Sequence, residues 1–108
     1  RWNGWMPLTI LLGTAVAARG SGDYESQVKP LLKERCFACH GSLKQKAGLR
    51  LDTVKAMRHG GEAGDVLKGG EQALLLQRVV AADVEERMPP EGEGAALTAD
   101  QVEILRRW

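Results

Sequence analysis

Two cysteines followed directly by a histidine have the types and spacing that could do chemistry. Cys36, Phe37, Ala38, Cys39 and His40 form the pattern C-x-x-C-H, and the chain has no other cysteine. This pattern is typical of c-type haem attachment, in which each thiol adds across one haem vinyl group to form a thioether. We therefore expect one covalent haem c, with His40 as the proximal iron ligand and its second ring nitrogen bonded to a backbone carbonyl.

Other chemistries of the same residues need partners that the sequence does not offer. A thioredoxin-like C-x-x-C requires a βαβ context, which this chain of short, glycine-rich segments lacks. Structural zinc requires four ligands, and Cys36, Cys39, His40 and His59 lack a second pair at the usual spacing. An iron–sulfur cluster requires more cysteines, and a disulfide across two residues would constrain almost no chain entropy. The spacing favours covalent haem.

A haem iron bound by one histidine has a sixth coordination position, and its occupant separates electron transfer from ligand chemistry. Met88 precedes Pro89-Pro90, which keep the backbone stiff enough to hold a weak thioether ligand. Met57 occupies an apolar helical position typical of core packing, and His59 lies at a predicted helix end, where an imidazole complements the helix dipole. We expect Met88 as the sixth ligand, with His59 or an open position as the alternatives.

Arg50 is a candidate contact for a haem propionate, because a guanidinium binds a carboxylate through two parallel hydrogen bonds. The alternative is a solvated arginine on a short extended segment between Leu49 and Leu51. The sequence leaves both interpretations open.

Short helices must position these residues, and no strand pattern of useful length is visible. The first predicted helix begins after Asp23, a candidate N-cap, and its apolar residues continue to Cys36 at spacings of three and four. Pro30 lies inside this pattern and either kinks the helix or marks its first turn. Gly41 is expected to end the local helix as a C′ glycine. The expected architecture is a small all-α domain.

Three further helices are predicted downstream. Asp52 or Thr53 can cap a brief helix that stops at Gly60-Gly61, and another helix is expected to run from Glu71 through Val79. The last helix has two local signals at its start. Thr98 and Gln101 form a capping box, while Leu97 and Val102 form a hydrophobic staple.

The first residues have the features of an export signal. An apolar run from Pro7 to Ala18 closes with Ala15-Val16-Ala17, which fits an A-x-A cleavage site, and the run is short for a membrane span. We expect residues 1–18 to be a signal peptide or hydrophobic leader, 19–27 a linker and the start of the first helix, and 28–108 the domain, truncated in its last helix. The mature protein would be periplasmic or otherwise exported, without a stable membrane span; an uncleaved anchor or a core helix is the alternative.

Charge is distributed unevenly although the formal net charge is only +1. Residues 29–58 carry Glu34 and Asp52 as their only acidic side chains among many lysines and arginines, whereas residues 83–103 carry Arg87 as their only basic one. This dipole could orient a redox partner protein, or the two regions are solvated faces. The basic residues have no interleaved aromatics, so we expect no nucleic-acid partner.

The order of several motifs resembles the planctomycete-type cytochrome c domain, a variant of the class I cytochrome c fold. The resemblance covers residues 28–108, with C-x-x-C-H-G first, G-L-R-L-D at 48–52 next and R-M-P-P at 87–90 after it. It implies that Cys36 and Cys39 carry the haem, that His40 and Met88 are the proximal and distal ligands, and that the first and last helices cross beside the haem. It also implies that the domain is attached to further domains of a longer exported protein.

The function expected from these residues is one-electron transfer by a His/Met-ligated monohaem cytochrome, as a carrier or relay rather than an enzyme. An enzyme or a gas or redox sensor with a five-coordinate iron is the alternative, in which Met88 is only a loop residue. A third possibility is a haem that serves only to fold the module.

Overall fold

The structure is a computed structural model that describes residues 23–108 and, before them, only Gly4 and Gly13. Four short α-helices carry the fold: α1 (Lys29–Arg35), α2 (Val54–His59), α3 (Leu74–Val80) and α4 (Ala99–Arg107). A π-helical segment, Tyr24–Val28, runs directly into α1, and single 3₁₀ turns occur at Lys46–Gly48 and Gly70–Gln72. No strand occurs in this part of the chain, so the predicted small all-α fold is confirmed.

The expected leader lies, apart from the two glycines, outside the described residues, as do residues 19–22 of the expected linker. None of the helices that the described residues form has the length and hydrophobicity that crossing a bilayer requires.

The first helix differs from its prediction at the start. Asp23 has helical angles (φ −68°, ψ −38°) and its side chain makes no capping hydrogen bond, so the predicted N-cap is wrong. Pro30 is the second residue of α1, but the chain before it is already helical. In the turn before it the Lys29 N–H donates to the Tyr24 oxygen, five residues back. The helix thus passes Pro30 through a widened turn, one of the usual disturbances beside a proline.

The end of the first helix also differs from its prediction. α1 ends at Arg35, and Gly41 is not in the left-handed region, so its expected role as a C′ glycine is wrong. A Cβ atom at Gly41 would lie 2.4 Å from the carbonyl oxygen of Phe37. The position requires glycine because the chain turns back closely onto the residue four positions earlier.

The middle helices follow their predictions with one exception. Thr53 caps α2, accepting a hydrogen bond from the Ala56 N–H at 3.0 Å, and Gly60 (φ 73°) ends it as predicted. α3 begins at Leu74 and not at Glu71, because the extended Ala73 (ψ 141°) separates it from the preceding 3₁₀ turn.

The capping box of α4 is confirmed. The Gln101 N–H donates to Thr98 Oγ1 at 3.2 Å, and the Thr98 N–H donates to Gln101 Oε1 at 2.9 Å. α4 packs against α3 and against the π-helical segment, where the rings of Tyr24 and Trp108 lie 5.3 Å apart.

The core gathers apolar side chains from every helix and from the segments between them. The buried members of this cluster are Val28, Leu31, Leu32, Leu51, Met57, Val66, Leu75, Val79, Leu97 and Leu105. α1 and α4 both contribute side chains to this cluster, together with α2, α3 and the segments between the helices. The cluster therefore holds the first and last helices beside the loops that carry the chemical motifs.

We expect Thr98→Ala to lower the free energy of unfolding by about 1 kcal/mol, because it removes the side-chain half of the α4 capping box. Urea denaturation measures the change. Thr98→Ser keeps the hydroxyl and is the matched control. Equal losses in the two variants would contradict a role for this hydrogen bond.

Candidate functional site

The C-x-x-C-H motif forms a single turn immediately after α1. The N–H groups of Cys39 and His40 both donate to the carbonyl oxygen of Cys36, at 3.2 and 2.9 Å. Both cysteines are half-buried, as is His40. Two thiols and an imidazole therefore project from one turn, which is the arrangement that two neighbouring vinyl groups and an iron would require.

A backbone carbonyl holds the imidazole of His40. Its Nδ1 lies 3.3 Å from the carbonyl oxygen of Leu49. Because a carbonyl oxygen only accepts, Nδ1 carries a proton, and in the neutral imidazole the lone pair is then on Nε2. The predicted carbonyl contact is confirmed, and it leaves Nε2 as the nitrogen that could bind a metal.

The segment that supplies this carbonyl is itself bonded to the motif. Residues 44–51, here called loop 44–51, fold back beside the turn through backbone hydrogen bonds. Three N–H groups make them: Lys46 to the Cys39 oxygen at 2.9 Å, Gly41 to the Lys44 oxygen at 2.8 Å and Leu51 to the His40 oxygen at 2.8 Å. The motif and the acceptor of its histidine therefore form one hydrogen-bonded unit.

Gly61, the second residue after α2, lies in close contact with loop 44–51. A Cβ atom at Gly61 would lie 2.4 Å from the Ala47 carbonyl oxygen and 3.1 Å from the Leu49 Cβ atom. The neighbouring Glu62 N–H donates to the same Ala47 oxygen at 3.0 Å. Gly61 is thus required for the close approach that positions Leu49, a role that the sequence showed only as a helix stop.

The first thiol has the electrostatics of a buried cysteine. Burial raises the pKa of the Cys36 thiol to about 11, and the nearby Arg35 cation only partly opposes this shift. A redox-active C-x-x-C pair has the opposite property, a lowered thiol pKa that favours the nucleophilic thiolate. The thioredoxin-like interpretation therefore finds no support in this environment.

Met88 is positioned by separate contacts, on the loop between α3 and α4. Its N–H donates to the Arg78 carbonyl oxygen at 2.9 Å, its residue is half-buried, and the following Pro89 is buried. Met57 is fully buried at 0 % exposure, which confirms its core role, and His59 is exposed at the end of α2.

Arg50 is paired within its own segment. Its Nε donates to Asp52 Oδ1 at 3.0 Å and a second guanidinium nitrogen donates to Oδ2. The hydrogen bond from Arg50 lowers the pKa of the Asp52 carboxyl and raises the pKa of Arg50. The fork that could bind a propionate therefore already holds a carboxylate, and Asp52 is not the cap of α2.

Two cavities lie elsewhere in the described chain. One of about 500 Å³ is bordered by α3, α4 and Arg87, and one of about 550 Å³ is bordered by Tyr24, α2 and the end of α4. Neither is lined by Cys36, Cys39, His40 or Met88. Within residues 23–108 there is also no group of three or more His, Cys, Asp or Glu side chains arranged for a metal ion.

The described part of the chain is all-α and carries two thiols and a histidine with an available Nε2 on one turn, which is the donor set of a c-type cytochrome domain. Comparison with protein families agrees: residues 36–92, more than half of the chain, match the family Planctomycete cytochrome C. The chain belongs to this family, which makes it a haem-binding cytochrome module. A search of the curated proteins found no significant match, and a search of the solved structures found none either.

We expect Gly61→Ala to displace Leu49 and to lower the free energy of unfolding by about 1–3 kcal/mol, the usual cost of overpacking a close contact. It should also weaken the hydrogen bond of His40 Nδ1, measured by ¹⁵N NMR of the imidazole. Gly94→Ala is the control, because its Cβ would make only ordinary 3.4 Å contact with Pro89. An unchanged His40 signal in Gly61→Ala would contradict the supporting role.

Proposed function

We propose that this chain binds one haem c covalently through Cys36 and Cys39 and transfers single electrons, with His40 and Met88 as the axial ligands. The observation that carries the proposal is the position of the His40 imidazole. It lies on the same turn as both thiols, and its Nδ1 is bonded to the carbonyl oxygen of Leu49. A bound haem c would supply a one-electron couple. The protein's own part is to hold Nε2 of His40 in its lone-pair form and in a fixed direction.

The contacts of Met88 support its role as the distal ligand. A thioether is a weak ligand, so its loop must limit how far the sulfur can move away from the iron. The hydrogen bond from the Met88 N–H to Arg78 ties this residue to α3, and Pro89 is buried directly after it. The two other candidates are less suitable, because Met57 is enclosed in the core and His59 is exposed. A thioether ligand favours ferrous iron and raises the reduction potential relative to two histidines.

The contact between Arg50 and a haem propionate stays a prediction. The guanidinium has five N–H donors, and the pairing with Asp52 uses two of its nitrogens. An additional carboxylate could be bound only beside Asp52, so Arg50 would act as a shared cation.

The working environment proposed for this module is the periplasm or another exported location. The A-x-A pattern that closes the apolar run at Ala15-Val16-Ala17 supports this location. The basic region 29–58 surrounds the motif in sequence, and its charge suits an acidic redox partner or attached domain. We expect no nucleic-acid partner.

Maturation of the full chain in a host equipped for cytochrome c assembly tests covalent attachment. We expect coloured protein whose mass under denaturing conditions exceeds the polypeptide mass by one haem. The double variant Cys36→Ala, Cys39→Ala should lose this adduct, because no thioether can form, whereas Ser42→Ala should keep it. Wild-type protein at the bare polypeptide mass would refute the proposal.

Met88→Leu tests the sixth ligand with side-chain volume nearly conserved. We expect complete loss of the weak near-infrared sulfur-to-iron band of the ferric protein and a lower reduction potential. Met57→Leu removes a thioether from the core and should retain both properties. If the wild-type protein lacks the band and binds cyanide and carbon monoxide readily, the five-coordinate alternative replaces the electron-transfer proposal.

A further inference from the structure

Arg35 joins two parts of the chain that lie far apart in sequence. It is the last residue of α1 and directly precedes Cys36. Its NH1 group donates to the carbonyl oxygen of Ala95 at 3.3 Å. Ala95 belongs to the segment between α3 and α4, residues 81–98, here called the Met88 loop. The bond therefore connects the turn with the two thiols to the loop with the expected distal ligand.

The Met88 loop is folded on itself, so a bond at Ala95 constrains Met88. The Glu93 N–H donates to the Pro90 oxygen at 3.0 Å, closing a turn. At Gly94 a Cβ atom would lie 3.4 Å from the Pro89 ring, which shows that Gly94 packs beside this proline. Residues 89–94 therefore connect Met88 to Ala95 through a short segment whose residues contact one another.

A second hydrogen bond holds the Met88 loop to α3. The Met88 N–H donates to the Arg78 carbonyl oxygen at 2.9 Å, so Met88 is also tied to α3. Residues 91–96 are exposed and have little packing of their own. The hydrogen bond from Arg35, although exposed, holds this part of the loop to α1, while the buried Leu97 holds the residues that follow it.

The guanidinium of Arg35 is only partly paired. Its Nε atom is buried and has no hydrogen-bond partner, and an unpaired buried donor lowers stability. A neutral or flexible side chain would avoid that cost. The contact with Ala95 is the bond that an arginine, with several donors in a rigid fork, makes here.

We propose that Arg35 is a positioning residue that holds the Met88 loop against α1 and thereby keeps the Met88 sulfur at the haem iron. This inference rests on the proposed His40/Met88 ligation. Without the bond to Ala95 the loop opens more often, and an external ligand competes more successfully with the weak thioether.

The test compares variants of Arg35 with two controls, all in the matured full chain. Arg35→Met keeps the apolar stem and removes the donors. Lys33→Met removes one positive charge from an exposed position of the same helix. Thr53→Ala removes the cap of α2 and so lowers global stability without touching Arg35. Two measurements are made on each: the affinity of the ferric protein for imidazole, and hydrogen exchange of the Glu93 amide.

We expect Arg35→Met to bind imidazole about tenfold more tightly, which corresponds to loss of one hydrogen bond, and to exchange the Glu93 amide faster. Lys33→Met and Thr53→Ala should match the wild-type protein in both measurements. Arg35→Lys retains the charge and should give intermediate values, and it serves if Arg35→Met does not mature.

The outcomes separate this proposal from the one on which it rests. If wild-type ferric protein shows the sulfur-to-iron band but the Arg35 variants equal Lys33→Met in both measurements, the positioning role is refuted. If Arg35→Met changes imidazole affinity only as much as Thr53→Ala does, the role is refuted as well. If the wild-type protein shows no sulfur-to-iron band, the ligation by Met88 fails, and faster exchange at Glu93 in Arg35→Met then still supports attachment of the loop by Arg35.

Discussion

The hydrogen bond between His40 Nδ1 and the Leu49 carbonyl oxygen is the contact on which the candidate site depends. It sets the tautomer of the imidazole and limits its rotation, so that Nε2 presents a lone pair in one direction. A carbonyl can do this only if its own backbone is fixed. Loop 44–51 is fixed by hydrogen bonds to Cys39, Gly41 and His40 and by the close approach of Gly61. The ligand geometry is therefore a property of backbone packing.

The helices and the loops of this domain are stabilised by different interactions. Helices α1 to α4 contribute apolar side chains to one buried cluster, with Tyr24 against Trp108 at its edge. The loops with the chemical residues are organised mainly by backbone hydrogen bonds and by glycines at close contacts. A domain of this size buries a limited apolar surface. Strong local hydrogen bonding in the loops reduces the number of core contacts needed to order them.

Charged side chains take specific partners near the motif. The sequence makes Asp52 and Thr53 equivalent candidates to cap α2, but the carboxylate of Asp52 pairs with Arg50 and the hydroxyl of Thr53 makes the cap. Arg35 acts on two parts of the chain. Its charge opposes the raised pKa of Cys36, and its NH1 group donates a hydrogen bond to the Met88 loop. The cations around the turn therefore act through defined contacts as well as through net charge.

The sequence by itself determined the features that depend on neighbouring residues: the C-x-x-C-H turn, the Thr98–Gln101 capping box, the glycine stop after α2 and the all-α class. Only the tertiary structure decided which carbonyl accepts the hydrogen bond of His40, why Gly61 must be a glycine, that Asp23 caps nothing and that Arg35 reaches Ala95. Caps and attachment motifs are short-range and have characteristic side chains. A backbone carbonyl is the same at every residue, and a close approach between distant segments leaves no side-chain pattern, so only folding in three dimensions selects these partners.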